Sequence, residues 1–178
     1  MLATDVANYM IYLLNDSCDD LTNMKLNKLL YYAQGYSLKQ RGCPLFDESI
    51  EAWQHGPVVP SVYHYYKNHH DDPIHQWDEE RLDEIDEESK ELIFDVAKKY
   101  SEYTATALRN MTHSPKGPWA QCYCDDERAI IIPNEMIKEY FDRYEQDIEP
   151  LELQFDESDF IGYRDSSGYL VLPEDWND

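Results

Sequence analysis

Apolar residues in the first quarter of the chain recur with a period of about 3.6 residues, which is typical of amphipathic α-helices. The first such stretch spans residues 4–15 and aligns Val6, Tyr9, Met10, Leu13 and Leu14. The second spans residues 23–40 and aligns Leu26, Leu29, Leu30, Ala33 and Ser37. Its polar residues fall mostly off that face, namely Lys25, Asn27, Lys28, Gln34 and Lys39. The pattern predicts two helices packed on each other through their apolar faces.

Both ends of the second helix carry recognisable signals. Thr22 or Asn23 can accept a hydrogen bond from the free amides of the first turn. Gly42 favours a left-handed stop, and Pro44 cannot rejoin the helix. We therefore predict that this helix begins near residue 23 and ends near residue 40.

A short strand and a third helix should follow the turn. Apolar and polar residues alternate from Ile50 to His55, and the alternation ends at Gly56-Pro57. Pro60 suits the first position of a helix, where its missing N–H costs nothing. The predicted buried stripe of that helix is Val62, Tyr65, Tyr66 and His69.

The middle of the chain predicts further helices separated by loops. Residues 71–86 are acidic and read as a loop or short helix anchored by Ile74 and Trp77. A long helix should begin near Glu87, and Thr104 can cap a further turn holding Ala107, Leu108 and Met111. Pro115, Gly117 and Pro118 predict a loop. Asn134 can cap a last helix that turns four residues inward: Ile137, Tyr140, Phe141 and Tyr144.

The end of the chain predicts a β-hairpin. Phe160–Tyr163 and Tyr169–Leu172 flank the turn sequence Asp165-Ser-Ser-Gly168. An isolated two-stranded hairpin is only marginally stable in water, so this one should pack against the domain or against a partner. The predicted fold is mainly α: a compact single-domain helical fold with a short strand and turn after the second helix and a C-terminal β-hairpin.

Three sequence segments carry a family resemblance. KLNKLLYYAQGYSL (residues 25–38) and PLFDESIEAWQHGPVVPSVYHYYK (residues 44–67) closely resemble the Panacea domain, the family of the SocA-like antitoxins of toxin–antitoxin pairs. MTHSPKGPWAQCY (residues 111–123) resembles a later element of the same family. Asn27 and Ser37 are mild departures from its usual pattern. We therefore assign residues 1–147 to a Panacea domain and residues 148–178 to an acidic extension that the resemblance does not cover.

The charge of the chain constrains its partners. Its 15 Lys and Arg stand against 37 Asp and Glu, for a formal net charge of −22. This argues against direct binding of nucleic acid, whose phosphates would be repelled. Residues 71–91 and 147–178 are densely acidic, whereas residues 25–41 are basic. The acidic runs either attract a basic partner or simply form a solvated surface.

Nothing in the first twenty residues resembles a secretion signal or a membrane span, so we expect a cytoplasmic protein without membrane contact. Cytoplasmic residence favours free thiols at Cys18, Cys43, Cys122 and Cys124.

The candidate catalytic and metal-binding residues have structural alternatives. His55 beside Gly56 could meet a substrate, but no nucleophile or acid is fixed near it by spacing, and a turn explains it equally. Cys122 and Cys124 with nearby histidines could hold zinc, but their C-x-C spacing differs from common structural sites. His113 and Trp119 fit a packed loop better, with the histidine satisfying a backbone group. No glycine-rich phosphate loop is present. We therefore predict no catalytic residue, metal or cofactor.

Aromatic residues are the stronger hint, because 15 Tyr and 4 Trp exceed the needs of a core of this size. Tyrosine and tryptophan give rigid contact area that suits protein interfaces. Some must be core, since Tyr32 and Tyr36 share one helical face. The candidate partner-binding residues are Tyr31, Tyr36, Trp53, His55, Tyr63, Tyr66, Trp119, Tyr163 and Tyr169.

The resemblance implies a non-enzymatic antitoxin that neutralises a co-encoded toxin by binding it directly. Two other functions remain open at this point. One is a proteolytic adaptor that hands its partner to a protease, and the other is an acidic DNA mimic of phage or mobile-element origin that inhibits a host protein.

Overall fold

The computed structural model describes residues 1–15, 18 and 20–146, together with the backbone of 163–164 and 170–171. The helices are α1 (Ala3–Leu14), α2 (Asn23–Gln40), α3 (Pro60–Tyr66), α4 (Glu87–Tyr100), α5 (Ala105–Thr112), α6 (Pro118–Cys122) and α7 (Asn134–Tyr144). The strands are β1 (Ile50–Trp53), β2 (Gly56–Val58), β3 (Ile131–Ile132), β4 (Tyr163–Arg164) and β5 (Leu170–Val171). The mainly helical fold class predicted from the sequence is confirmed.

Helix α2 is the centre of the domain, because α1, α3, α4, α5, α7 and β2 all pack against it. It is buried from Lys25 to Leu38 without interruption. The prediction that its polar residues lie mostly off the buried face is therefore wrong. A helix surrounded on every side has no solvent face, so its polar side chains are buried too: Lys25, Asn27, Lys28 and Gln34.

The predicted ends of α2 are confirmed. The Thr22 hydroxyl accepts a hydrogen bond from the Lys25 amide at 3.3 Å. After the C-cap Arg41, Gly42 has a φ of 71°, in the left-handed region where a β carbon is strained. The sequence signals at the two ends of this helix are therefore local.

The strand predicted after α2 belongs to a three-stranded antiparallel sheet of order β2-β1-β3. Strands β1 and β2 form a hairpin with Trp53 opposite Gly56, so Gln54 and His55 form its two-residue turn. Gly56 has a φ of 102°, which permits the sharp bend. The sequence did not predict β2 as a strand, because Pro57 and the brevity of the segment hide its pairing with β1.

Helix α3 begins at Pro60 as predicted, but its buried stripe is narrower. Val62 and Tyr66 are buried, whereas Tyr65 is 62% exposed. The acidic segment after it is anchored at Ile74, which is buried and whose amide donates to Leu21 O at 2.9 Å. Residues 79–84 then form a short 3-10 helix. The prediction of a loop or short helix is confirmed for this segment.

Helices α4 and α5 are capped by Asp86 and Thr104, whose side chains accept from Ser89 N and Ala107 N. The predicted cap of α7 is wrong by one residue, because Pro133 is the N-cap and Asn134 lies inside the helix. Ile137 and Phe141 of α7 are buried, while Tyr144 is 47% exposed. Helix α7 thereby closes the core over α2.

Strands β4 and β5 pair antiparallel, with Tyr163 opposite Val171 and Arg164 opposite Leu170. This pairing confirms the predicted C-terminal hairpin in its strands. The proposed turn at 165–168 and the predicted strand ends at Phe160, Ile161, Tyr169 and Leu172 lie outside the described residues.

Candidate functional site

Two buried asparagines of α2 fix the β1–β2 hairpin and α3 on the central helix. Asn27 Oδ1 accepts a hydrogen bond from the Val59 amide at 2.9 Å. Asn27 Nδ2 donates to both oxygens of Asn23, and Asn23 Nδ2 in turn donates to Tyr63 O at 3.0 Å. Because each amide is satisfied by its neighbours, the hairpin has a defined position on α2.

Aromatic side chains gather where the β1–β2 hairpin meets α3 and α6. We call this surface the hairpin patch, defined as Trp53, His55, Tyr63, His64, Trp119 and Tyr123. The ring centroids of Trp53 and Tyr63 lie 4.9 Å apart in an edge-to-face arrangement. Trp119 and Tyr123 stack at 4.8 Å. Tyr63 is 37% exposed, and both indoles are half-buried, so the patch presents rings to solvent from a packed base.

The two tryptophans are tied together by a hydrogen bond in which Trp119 Nε1 donates to Trp53 O at 2.8 Å. His113 lies behind Trp119, with ring centroids 3.6 Å apart. His113 Nδ1 is 2.5 Å from Arg109 O, which confirms the prediction that this histidine satisfies a backbone group. Helix α6 and the hairpin therefore hold the patch in one arrangement.

The hairpin patch is flanked by two depressions that share Trp53 and Gln54. One has a volume of about 440 Å³ and is lined by residues from the start of α2, the hairpin turn and α3; we call it the Lys28 pocket. The other has a volume of about 520 Å³ and lies between the hairpin and residues 123–129. A partner resting on the patch would reach both depressions.

Lys28 lies in the floor of its pocket and is only 1% exposed. Its Nζ donates to Pro57 O at 2.9 Å and forms no ion pair with any described residue. Burial, with a smaller contribution from the charge of Arg109, lowers the pKa of Lys28 to about 7. A β carbon on Gly56 would lie 2.9 Å from Lys28 Cε, so only glycine fits at this turn.

Two further nitrogen atoms near Lys28 lack partners. Arg109 Nε and His113 Nε2 are buried and have no hydrogen-bond partner among the described residues. Burial lowers the pKa of His113, and the charges of Arg109 and Lys28 act in the same direction. Arg109 therefore places a second cation beside Lys28, whereas the neutral His113 ring, whose Nδ1 donates to Arg109 O, offers Nε2 as an acceptor.

The nine partner-binding candidates separate into three groups. Trp53, His55, Tyr63 and Trp119 come together in the hairpin patch. Tyr31, Tyr36 and Tyr66 are instead core residues, each at most 5% exposed. The expectation that these three side chains lie at the protein surface is therefore corrected. Tyr31 and Tyr36 are buried because α2 has no solvent face, and Tyr66 belongs to the same buried cluster. The side chain of Tyr163 and all of Tyr169 lie outside what the structure describes.

Sequence reasoning missed three residues of this region: Lys28, His64 and Tyr123. The spacing of Lys28 on α2 assigned it to a polar face that does not exist. His64 is adjacent to Tyr63, and Tyr123 lies four residues after Trp119, yet nothing in the sequence indicates that α3 and α6 meet at the hairpin. Only the three-dimensional arrangement brings these residues together.

Metal binding finds no support in the part of the chain that the structure describes, where no group of three His, Cys, Asp or Glu side chains could hold an ion. All four cysteines are free thiols, as the sequence predicted. None of the described helices is both long and apolar enough to cross a bilayer.

These features define a small, mainly helical domain wrapped around one buried helix and bearing an aromatic surface patch. The profile of the Antitoxin SocA-like, Panacea domain family matches residues 26–120, which is more than half of the chain. The chain therefore belongs to this family, as its sequence motifs suggested.

A curated relative is Antitoxin SocA of Caulobacter vibrioides (strain NA1000 / CB15N), which is 49% identical over 43 residues. That segment is 24% of this chain and 23% of the relative. The similarity to this relative is thus confined to about a quarter of each protein. No solved structure matches the chain.

Proposed function

We propose that this protein is a non-enzymatic antitoxin that neutralises a co-encoded toxin by binding it directly. The hairpin patch is the proposed contact surface, and it covers the functional surface of the toxin. Membership in the Antitoxin SocA-like, Panacea domain family supports the antitoxin role. The observation that carries the choice of surface is the convergence of Trp53, Tyr63 and Trp119 at one exposed site.

Physical chemistry favours this surface as the centre of an interface. Tyrosine and tryptophan are enriched among the residues that contribute most to protein binding, because they bury large rigid areas at low entropic cost. The formal net charge of −22 would raise the rate of encounter with a basic toxin. The aromatic side chains would then supply most of the binding free energy, and the negative charge would raise the association rate.

The first experiment identifies the toxin. The open reading frame next to this gene is expressed alone and together with this protein, and growth is measured. We expect growth arrest from the neighbour alone and recovery on co-expression. A neighbour that is harmless alone would contradict the antitoxin proposal. Toxin abundance is followed by immunoblot, because constant abundance with lost activity indicates blocking, whereas falling abundance indicates a proteolytic adaptor.

The second experiment tests the surface with a matched pair of tyrosines on α3. Tyr63 belongs to the hairpin patch, whereas Tyr65 is exposed two residues later and contacts Tyr66 instead. We expect Tyr63→Ala to weaken toxin binding by about 30-fold, the effect of losing one strongly contributing aromatic side chain. Tyr65→Ala should leave the dissociation constant within about threefold of the parent, as measured by isothermal titration calorimetry. Equal effects of the two variants would refute the hairpin patch as the contact surface.

A further inference from the structure

Lys25 and Lys28 lie three residues apart on α2 and are equally buried, at 1% exposure each. Lys25 is fully paired: its Nζ donates to Asp20 Oδ1 at 2.5 Å, to Ser101 O at 2.7 Å and to Cys18 Sγ at 3.1 Å. Lys28 in its charged form has three donor hydrogens but, among the described residues, one acceptor, Pro57 O. Burial of a lysine normally requires a paired anion, so Lys28 is incompletely satisfied where Lys25 is complete.

The surroundings of Lys28 add positive charge and donors. Arg109 is near enough to disfavour its charged form, and a β carbon on Gly56 would lie 3.1 Å from Lys28 Nζ and 2.9 Å from Thr112 Oγ1, so the space beside the amine is narrow. The Asn23 and Asn27 amides in the lining of the pocket are engaged with each other and with the backbone. Among the described residues at this point, unfilled donor capacity therefore belongs to Lys28 and to Arg109 Nε.

The Lys28 pocket connects this amine to the hairpin patch. Trp53, His55 and Tyr63 belong both to the patch and to the lining of the pocket. Lys67 and His70 also line it, together with one carboxylate, Asp71. Its volume of about 440 Å³ is ample for a single acidic side chain. A protein that covers the patch would place its own side chains at the opening of this pocket.

We propose that the Lys28 pocket receives a carboxylate of the bound partner protein, from an aspartate or glutamate side chain that pairs with Lys28 Nζ. The anion supplies the acceptor that Lys28 lacks, and the hydrogen bond is charge-assisted and shielded from water by the hairpin patch. That the carboxylate belongs to a toxin rests on the proposed function, whereas the affinity of the pocket for a carboxylate does not.

The carboxylate preference is testable on the full-length protein without a partner. The protein is labelled with ¹³C at lysine Cε, and the Lys28 resonance is assigned by its loss in Lys28→Met. At a pH above the Lys28 pKa of about 7, N-acetyl-aspartate N-methylamide is titrated at constant ionic strength. We expect a saturable shift of the Lys28 resonance toward the protonated position, because a bound anion stabilises the charged amine.

Three internal controls sharpen this titration. The Lys25 resonance should not move, since that amine is already paired with Asp20. N-acetyl-asparagine N-methylamide, which has the same shape and no charge, should leave Lys28 unchanged. Inorganic phosphate tests a different anion, and a saturable response to phosphate with none to the aspartate derivative would overturn the carboxylate assignment. Absence of any saturable response at Lys28 would also overturn it.

A second test of the proposal measures binding to the toxin that the co-expression experiment identifies. Lys28→Met should weaken toxin binding by about 30-fold or more, while Lys138→Met on the surface of α7 should leave the dissociation constant unchanged within about twofold. Thermal unfolding verifies that both variants are folded. One acidic residue of the toxin, replaced by its amide, should cause a similar loss, with little further loss in the double variant. If binding to the toxin persists unchanged in Lys28→Met, the pocket proposal fails while the antitoxin proposal stands.

Discussion

At the scale of single residues, the buried amine of Lys28 destabilises the folded protein when it is charged. Its pKa is lowered from 10.5 to about 7 in the folded protein, first by burial and then by Arg109. Between those two values the unfolded chain holds one more proton at this position than the folded chain does. The free energy of unfolding therefore increases as pH rises through this window. Below about pH 7, the destabilisation caused by the buried charge of Lys28 has its full value.

We predict that Lys28→Met removes this pH dependence. Each pH unit inside the window corresponds to about 1.4 kcal/mol from one such group, so the stability advantage of the variant should shrink as pH rises. The lost hydrogen bond to Pro57 O adds a cost that does not vary with pH. Urea denaturation of both proteins between about pH 7 and pH 9 measures the difference. A difference that is constant across this range would show that Lys28 is charged throughout it.

At the scale of elements, the position of α2 decides how much the sequence could predict. Its ends follow from Thr22 and Gly42, which act locally, and both were predicted correctly. Burial of its polar face could not be predicted, because periodicity assumes one solvent face and α2 has none. The same reason explains why Tyr31 and Tyr36 were named as candidates for partner contact although both are core residues. Trp53, Tyr63 and Trp119 were named as candidates because aromatic residues are abundant in this chain, but their meeting at one hairpin depends on packing between distant segments, and their contact with a partner stays a prediction.

Close packing of α2 against α7 gives a second prediction. A β carbon at Gly35 would lie 2.2 to 2.5 Å from three ring atoms of Phe141. Phe141 is fully buried and packs edge-to-face against Tyr31, Tyr32 and Tyr36, so its ring has little room to move. Gly35→Ala should therefore lower the free energy of unfolding by about 1–3 kcal/mol, despite a gain of up to about 1 kcal/mol in helix propensity.

Urea denaturation provides the measurement for Gly35→Ala, and a rescue variant provides its control. Phe141→Leu shortens the opposing side chain, so the double variant should lose less stability than the sum of the two single variants. Simple additivity would mean that the ring of Phe141 is not what Gly35 accommodates.

At the scale of the whole molecule, the apolar core can be placed for the residues that the structure describes. Among them, every member of the buried cluster falls between Ala3 and Phe141. Of the described residues after α7, Glu145 and Gln146 contact this unit: Lys39 Nζ donates to Glu145 O at 2.6 Å, and the Tyr36 hydroxyl donates to Gln146 O at 3.2 Å. The assignment of residues 1–147 as a domain and 148–178 as an extension for partner contact is our proposal on this basis.

Deletion of residues 148–178 tests that division. We predict that the remaining chain unfolds cooperatively with a midpoint within about 4 °C of the parent, because the buried cluster is retained. Its affinity for the toxin should fall, since the deleted segment is acidic and contains the β4–β5 pairing. Circular dichroism gives the first result and calorimetry the second. Unchanged affinity would remove the extension from the interface, and loss of cooperative unfolding would refute the domain boundary.

The hydrogen bond from Trp119 to the main chain of Trp53 has a consequence for how such a protein could change its partner over evolution. This bond holds the Trp119 indole, and a second one from Trp53 Nε1 to Glu51 at 2.7 Å holds the other, so recognition requires little ordering of these rings at the moment of contact. New specificities would then arise by replacing side chains around the two tryptophans, with the fold left intact. Retargeting by reshaping loops would first have to break this bond.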